Sequence, residues 1–318
     1  MKGLNNIGKL SLGLFPTPVH RLDRLSGLLG IDLWIKRDDL SGVGLGGNKV
    51  RKLEYLLADA LRLDAELIFT TGGAQSNHAM LTAACAGKLG LRTVLILKQR
   101  GVTQQKGNQL LEHLMDTEVR FMDTDDYGDI YAEMDRLGQA AGVPYYKIPC
   151  GGSNALGTLG YVECAREIAE QGVAFDHIVC AEGSGGTMAG LALGAKLFLP
   201  GVHVHGMMVD TDPFDLITPK LMREAAALLG QDVVVSNRDY HLLDVCGPGY
   251  AVPSAEGNAA VRMMAENEGI FLDPVYTGKA FAGLIRMSRE GAFAPDERIL
   301  FLHSGGAGGL FAVDMAGE

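Results

Sequence analysis

The sequence predicts a doubly wound α/β protein with two lobes, and three observations support this prediction. Short apolar runs alternate with longer helical segments from residue 66 onward, which is typical of βαβ units and a parallel sheet. Glycine is enriched, with 43 in 318 residues against an average of about 7%, and most glycines end an apolar run. The glycine-rich stretch GGSNALG at residues 151–157 separates two such series and is the candidate join between domains.

Each element of the alternation follows from its composition. Short apolar runs predict strands, and longer runs with helical spacing or many small residues predict the helices between them. The predicted strands of the first series are residues 66–71, 93–97, 119–122 and 145–149, and its predicted helices are residues 79–90, 108–115 and 131–142. The second series contains a strand at 177–183, a helix at 187–199, and strands at 203–210 and 298–306. In such sheets ligands bind at the carboxyl ends of the strands.

The net charge of −10 argues against a polyanionic partner, so we expect neither nucleic acid nor a membrane surface as partner. Residues 1–18 lack the sustained apolar core of a signal peptide, and no apolar run is long enough to span a bilayer. The cysteines are scattered, odd in number and without metal-ligand spacing, which predicts reduced thiols in a cytoplasmic protein and no metal site. They are Cys85, Cys150, Cys164, Cys180 and Cys246.

Residues 46–63, GGNKVRKLEYLLADALRL, place Lys49 at the start of an amphipathic helix. A nucleotide-binding P-loop is excluded, because Asn48 separates Gly47 from Lys49 and Val50 follows. A solvated lysine is one interpretation of Lys49. The positive end of the helix dipole would instead lower the pKa of its ammonium group, as an amine nucleophile requires.

Residues 70–80, TTGGAQSNHAM, join a predicted strand to a predicted helix. Ser76 or Asn77 would cap that helix, or the pair would donate hydrogen bonds to a carboxylate or a ring hydroxyl. His78 is a candidate general base, with a structural histidine as the alternative. Both pairs of interpretations are open at this point.

Residues 181–190, AEGSGGTMAG, follow another predicted strand. With Asp210 after the next strand, the segment suggests a dinucleotide-binding unit and hence a nicotinamide-dependent oxidoreductase. The glycine pattern is broken, however, because Met188 stands where the third glycine should be. The segment fits an anion cup better, since its amides and hydroxyls suit one phosphate. The cup residues are Ser184, Gly185, Gly186 and Thr187.

Three further glycine-punctuated loops carry the hydroxyls of Tyr250, Tyr276 and Ser304. Half-buried packing is the usual role of such tyrosines, and a serine after an apolar strand is usually a helix cap. All of these glycine-rich loops are expected just after apolar strands, where backbone amides and helix N-termini can hold an anion.

In combination and order, these motifs resemble the D-cysteine desulfhydrase and aminocyclopropane-carboxylate deaminase family of fold-type II pyridoxal-phosphate enzymes. The motifs that carry the resemblance are GGNKVRKLE, GGAQSNH, GSGGTMAG, GPGYAVP, DPVYTGKA and LHSGG, and they extend over nearly the whole chain. The resemblance implies a tryptophan-synthase-β-like α/β fold of two open, twisted, mainly parallel sheets with helices on both faces. It also implies a large cofactor-binding lobe of residues 1–49 and 160–318, a small lobe of residues 50–159 inserted in it, and a homodimer.

The resemblance assigns cofactor-binding roles to residues of these motifs. Lys49 would bind the aldehyde of pyridoxal 5'-phosphate, Lys52 would reach its phosphate, and Asn77 would bond the ring hydroxyl. The phosphate would lie in the cup of residues 184–187. Ser304 would lie near the pyridine nitrogen, where a neutral hydroxyl weakens the ring as an electron sink and favours elimination over racemisation.

The same resemblance implies a small amino acid as substrate. Ser76 would bind the substrate carboxylate, with Asn77 and His78 also in contact with the substrate. Tyr250 and Tyr276 would flank the substrate as acid–base and positioning groups.

Thr277 favours one reaction within the family, since the deaminase branch has glutamate at that position and desulfhydrases have threonine. The expected activity is β-elimination, with D-cysteine giving pyruvate, ammonia and sulfide as the first choice. An L-cysteate sulfo-lyase is the second choice, and an aminocyclopropane-carboxylate deaminase is a further alternative. Met80 departs from the family, which usually has an arginine near this position, and would repack the substrate side of the pocket or only the domain interface. A nicotinamide oxidoreductase and a catalytically silent binding protein are the alternatives from other classes.

Overall fold

The strands form two separate sheets within residues 3–313, which the computed structural model describes. In chain order they are β1 (Val19–Arg21), β2 (Asp32–Arg37), β3 (Leu67–Gly73), β4 (Arg92–Lys98), β5 (Glu118–Met122), β6 (Tyr145–Lys147), β7 (His177–Glu182), β8 (His203–Met208), β9 (His241–Asp244) and β10 (Arg298–His303). The six-stranded sheet has the order β1-β2-β10-β7-β8-β9, and the four-stranded sheet has the order β5-β4-β3-β6. Neighbouring strands are parallel except β1 and β2.

The helices connect the strands and include every helix that was predicted, with ends shifted by no more than a few residues. They are α1 (Asp23–Leu29), α2 (Lys49–Arg62), α3 (Asn77–Lys88), α4 (Asn108–Leu114), α5 (Tyr127–Ala141), α6 (Ala155–Glu170), α7 (Gly186–Phe198), α8 (Phe214–Leu228), α9 (Ala255–Glu268), α10 (Thr277–Arg289) and α11 (Ala307–Leu310).

Helices cover both faces of the six-stranded sheet, because alternate side chains of its strands point into two different cores. On β7, Ile178 and Cys180 join one core with α6, α7 and α8, whereas Val179 and Ala181 join another with α1, α9 and α10. Every residue of β7 is buried. Cover on both faces accounts for the continuous apolar run at residues 178–181 of this strand. The predicted α/β fold with two mainly parallel sheets is therefore confirmed.

The candidate join at residues 151–157 is shorter than predicted. Cys150–Gly152 form a single 3₁₀ turn. Asn154 then caps α6, because its side-chain oxygen accepts a hydrogen bond from the amide of Gly157 at 2.8 Å. The last residues of the predicted break are thus the first turn of a helix.

Two of the glycine-rich loops do not directly follow a strand, contrary to the prediction. A 3₁₀ turn at Asp38–Leu40 and a further loop separate β2 from α2. Residues 269–276 connect α9 to α10 without an intervening strand.

Among the residues described, no helix combines the length and the apolar character that a membrane span needs. All the cysteines are free thiols, and all but Cys150 are fully buried.

Candidate active site

A pocket lies where the carboxyl ends of strands from both sheets meet. Gly72 in β3, Glu182 at the end of β7 and Ser304 directly after β10 all line it. The structure brings most of the predicted site residues together on its wall, namely Lys49, Ser76, Asn77, His78, Ser184, Thr187, Tyr250, Tyr276 and Ser304. The predicted residues that do not line the wall are Lys52, Gly185 and Gly186. The wall also contains residues that were not predicted, among them Asn48, Cys150 and Glu182.

Lys49 begins α2 at the end of a loop whose course requires glycine. The amide of Asn48 donates a hydrogen bond to the carbonyl of Ser304 at 2.9 Å, and Gly47 forms an isolated bridge with Gly305. Gly47 has a φ of 136°, and a Cβ at this position would lie 3.1 Å from the Ser304 carbonyl oxygen. Only glycine suits both the backbone angle and this close approach. The loop after β10 therefore fixes the point where α2 starts.

Burial lowers the pKa of Lys49 from its usual 10.5 to about 8, and the neighbouring Cys150 and Glu182 only partly oppose this shift. The predicted direction is confirmed, and burial, which the prediction did not include, is its main cause. A lysine that titrates this close to neutrality offers a free amine to an electrophile or to a proton.

A buried network of charges anchors α2 two residues beyond Lys49. Arg51 donates to Asp38 through Nε at 2.8 Å and to Glu167 through Nη1 at 2.8 Å. Lys36 pairs with the same Glu167, and Tyr161 donates its hydroxyl to Asp38 at 2.5 Å. Burial acts to raise the pKa of Asp38, but Arg51 and Lys36 outweigh it and bring this pKa down to about 2. Because these partners come from β2, the following 3₁₀ turn and α6, the helix that carries Lys49 is held from several sides.

The segment after β7 forms a cup at the N-terminus of α7. Gly185 has a φ of 88°, and the amide of Gly186 donates to the Ser153 hydroxyl at 3.2 Å. Lys52 Nζ donates to the same hydroxyl at 3.2 Å. A Cβ on Gly186 would lie only 2.8 Å from that nitrogen, so glycine lets the lysine reach the cup. Amides, hydroxyls, a helix N-terminus and a lysine together fit a phosphate dianion.

Glu182 was not predicted as a site residue, although it ends β7 at the pocket with 1% of its surface exposed. One carboxylate oxygen accepts hydrogen bonds from the amides of Ser184 at 3.1 Å and Gly185 at 2.5 Å. The other oxygen has no hydrogen-bond partner within residues 3–313. Burial raises the pKa of Glu182, against the opposing effect of the Gly185 amide and of Lys52. A glutamate that ends the otherwise apolar strand HIVCAE is the sequence feature that could have identified it.

Ser76 caps α3, because its hydroxyl accepts a hydrogen bond from the amide of Ala79 at 3.2 Å. The capping interpretation is therefore confirmed for Ser76, which also faces the pocket. Asn77 accepts a hydrogen bond from Nδ2 of Asn108 at 2.7 Å, which fixes its amide at the pocket wall.

His78 has the features of a structural histidine. Its Nε2 lies 2.8 Å from the hydroxyl of Thr70. Burial, together with the charges of Lys49 and Lys52, lowers the pKa of His78 well below its usual range. A ring that resists protonation is a poor general base at neutral pH, so the alternative interpretation of His78 is favoured.

Tyr250 and Tyr276 form a hydrogen-bonded pair in the pocket, with their hydroxyl oxygens 2.5 Å apart. Asp273 holds Tyr276, since its Oδ2 accepts a hydrogen bond from the Tyr276 amide at 2.8 Å. Lys279 holds the loop before Tyr250 by donating to the carbonyl of Gly249 at 2.8 Å. Burial raises the pKa of both phenols, so both stay protonated at neutral pH and can donate hydrogen bonds.

Ser304 does not cap the next helix, contrary to one prediction. The N-cap of α11 is Gly306, and no side chain makes a cap hydrogen bond there.

Met80 is 2% exposed and belongs to an apolar cluster with Val43 and Leu81. It is absent from the pocket wall as described, which argues against the substrate-side alternative for Met80.

Comparison with known proteins gives a consistent result. A family model described as pyridoxal-phosphate dependent enzyme matches residues 10–305. The D-cysteine desulfhydrase of Salmonella newport is 44% identical over an alignment of 320 positions that covers 97% of each chain. The D-cysteine desulfhydrase of Salmonella typhimurium is 45% identical over an alignment of 308 positions that covers 93% of each chain.

Solved structures agree with these sequence relatives. A crystal structure of an ACC deaminase homologue matches with a TM-score of 0.91 and 40% identity, over 98% of this chain and 97% of the other. O-ureido-L-serine synthase shares the fold, with a TM-score of 0.68 and 16% identity over 99% of this chain and 95% of the other. The chain belongs to the family of pyridoxal-phosphate dependent enzymes, and pyridoxal phosphate is its cofactor.

Proposed function

We propose that this chain is a carbon–sulfur lyase that converts D-cysteine and water to pyruvate, ammonia and sulfide. The observation that carries the proposal is the combination, in one pocket, of a lysine with a lowered pKa and a hydrogen-bonded pair of tyrosines. The choice of D-cysteine is supported by relatives of that name at 44% identity over nearly the whole chain.

Four side chains would perform the reaction. The cofactor, when bound, supplies an electron-withdrawing ring that stabilises negative charge at the substrate α-carbon. Lys49 would hold the cofactor and, once its amine is free, take the α-proton, for which a pKa of about 8 is well matched. Ser76 would bind the substrate carboxylate at the N-terminus of α3, where the backbone carries partial positive charge. Tyr250 and Tyr276 would position the substrate and give a proton to the departing sulfur.

The cofactor itself would be held mainly by side chains of α2, α3 and the cup. Lys52 and residues 184–187 would bind the phosphate. Asn77 would bond the ring hydroxyl, and Ser304 would lie near the pyridine nitrogen. A neutral serine there leaves the ring a weaker electron sink than a carboxylate would, which favours prompt elimination over racemisation.

The ACC deaminase alternative is supported by the 40% identity to a homologue of that enzyme. Thr277 argues against it. Its amide and its hydroxyl both donate to Oδ1 of Asp273, at 2.8 and 2.7 Å. This position therefore supplies no acidic side chain, unlike the glutamate of the deaminase branch. An L-cysteate sulfo-lyase would use the same residues, with sulfite as the leaving group.

A pyruvate-release screen of the cofactor-loaded protein tests the proposal. Its substrates are D-cysteine, L-cysteine, L-cysteate and aminocyclopropane-carboxylate, the last scored as ketobutyrate. We expect turnover of D-cysteine with one sulfide per pyruvate, lost in Lys49→Ala and kept in Lys220→Ala, because Lys220 is an exposed lysine on α8 that pairs with Glu224. Turnover of L-cysteate alone would replace desulfhydrase by sulfo-lyase, and no turnover of any substrate would refute the proposal.

We also propose that residues 50–159 form a small lobe and that the protein is a cytoplasmic homodimer. The lobe is supported by the strands of the four-stranded sheet, which all lie between Leu67 and Lys147. The cytoplasmic location is supported by the free thiols, and the dimer by family resemblance. Light scattering should give about twice the chain mass of 33.8 kDa, and a monomeric mass would refute the dimer.

A further inference from the structure

Glu182 binds the backbone amides that the cofactor phosphate would need. Its side chain turns back from the end of β7 onto the segment that leads into α7, so that one oxygen accepts from the amides of Ser184 and Gly185. Gly185 is the N-cap of α7. These amides therefore lie at the helix end that carries the partial positive charge, and they point away from the hydrogen bonds inside the helix.

Two anions cannot share these donors. A phosphate at the N-terminus of α7 would use the same amides and the same dipole. In a buried site the repulsion between a phosphate dianion and an adjacent carboxylate is strong, because little solvent screens it. Glu182 must therefore leave the amides when phosphate binds, or it must weaken the binding.

We propose that Glu182 takes the place of the cofactor phosphate in the cofactor-free protein, and that the phosphate displaces it. Glu182 keeps the amides of the cup hydrogen-bonded before the cofactor arrives, and it competes with the phosphate afterwards. This inference rests on the proposed position of the phosphate. Before the cofactor arrives, the nearby Lys52 and Lys49 act to lower the pKa of Glu182 and so favour its charged form.

The proposal is tested by cofactor affinity and not by turnover. The dissociation constants of pyridoxal phosphate and of pyridoxal, which lacks the phosphate, are measured by absorbance on cofactor-free protein. Glu182→Gln removes the competing charge with little change of shape, and we expect it to bind pyridoxal phosphate about tenfold more tightly. Both constants are measured well above pH 8, where Lys49 is unprotonated in every variant, so pyridoxal should bind with an unchanged constant. Glu182→Ala is a second variant with the same expected direction, and Glu224→Gln, on the exposed face of α8, is the matched control.

Thr187→Val and Ser184→Ala separate this inference from the placement of the phosphate. If the cup holds the phosphate, both should weaken pyridoxal phosphate binding and spare pyridoxal. If neither does, the phosphate lies elsewhere and the inference about Glu182 is overturned with it. If both weaken binding but neither Glu182 variant tightens it, only the role of Glu182 is overturned. Inorganic phosphate gives a further readout, since it should raise the melting temperature of cofactor-free Glu182→Gln more than that of the unaltered protein.

Discussion

Lys49 should react with an aldehyde at a pH well below the range in which lysines normally lose their proton. Burial lowers the pKa of its ammonium group from 10.5 to about 8. At pH 7 this leaves about one amine in ten unprotonated, against about one in 3,000 for an ordinary lysine. The structure therefore predicts a free-amine fraction about 300-fold higher than that of a solvent-exposed lysine.

The assay is the rate at which cofactor-free protein captures pyridoxal between pH 6 and pH 10, followed by absorbance. Pyridoxal is preferred to its phosphate because it carries no phosphate group to titrate. Only the neutral amine attacks, so the rate should rise about tenfold per pH unit below pH 8 and level off above it. Lys49→Ala should show no capture, and Lys220→Ala should match the unaltered protein.

Glu182→Gln supplies a second perturbation of the same titration. The negative charge of Glu182 acts to raise the pKa of Lys49, so its removal should move the inflection to lower pH. An inflection near pH 10 would contradict the attribution of the shift to burial. An inflection that stays in place in Glu182→Gln would contradict the attributed effect of the neighbouring charge.

Tyr276→Phe should lower kcat about a hundredfold or more, because proton transfer by a positioned side chain contributes about that much to the rate. The lost hydroxyl lies 2.5 Å from that of Tyr250, and the cofactor absorbance should be unchanged. A loss in pyruvate release smaller than about threefold would remove Tyr276 from the reaction. Glu112→Gln should stabilise the protein against urea by about 3 kcal/mol at pH 7 and by less than about 1 kcal/mol at pH 5. Burial raises the pKa of Glu112 to about 8, so the contribution of Glu112 to the free energy of unfolding is fully present below its unfolded-state pKa and is lost as the pH rises toward 8. Equal gains at both pH values would contradict this. His205→Gln should reduce the loss of stability between pH 7 and pH 5, which we estimate at about 2 kcal/mol for this residue. Burial lowers the pKa of His205 to about 3, so below pH 6.5 the unfolded chain takes up a proton that the folded protein does not, and an unchanged pH dependence in urea unfolding would refute this.

The core strands are predictable from the sequence because a parallel strand covered on both faces needs a continuous apolar run. Residues 67–69 of β3 and 178–181 of β7 form such runs, and both strands are buried along nearly their whole length. β9 does not form such a run, and none of its residues is fully buried. Its membership of the sheet depends on pairing with β8, a long-range contact that leaves no clear pattern in the local sequence.

The pocket is predictable to a similar extent and for a similar reason. Residues on glycine-rich turns at strand ends and helix starts, such as Ser184 and Ser76, can be found from local patterns. The direction of the Glu182 side chain cannot, because it depends on how the chain turns at Gly185 with a φ of 88°. The cause of the Lys49 pKa shift also escapes local analysis. The helix dipole is visible in the sequence around Lys49, whereas its burial is produced by segments more than 100 residues away, such as those of Cys150 and Ser304.

The charge network under α2 restricts how this part of the protein can vary in evolution. Arg51 and Lys36 neutralise Asp38 and Glu167 in a largely buried cluster, and the four side chains come from four separate segments. Replacement of one member alone leaves a buried charge without its partner, at a cost of about 3–5 kcal/mol, which is a large share of the stability of an ordinary domain. Simultaneous replacement of the whole set by apolar side chains can be neutral. Among descendants of this sequence, we expect these four positions to be inherited together or exchanged together.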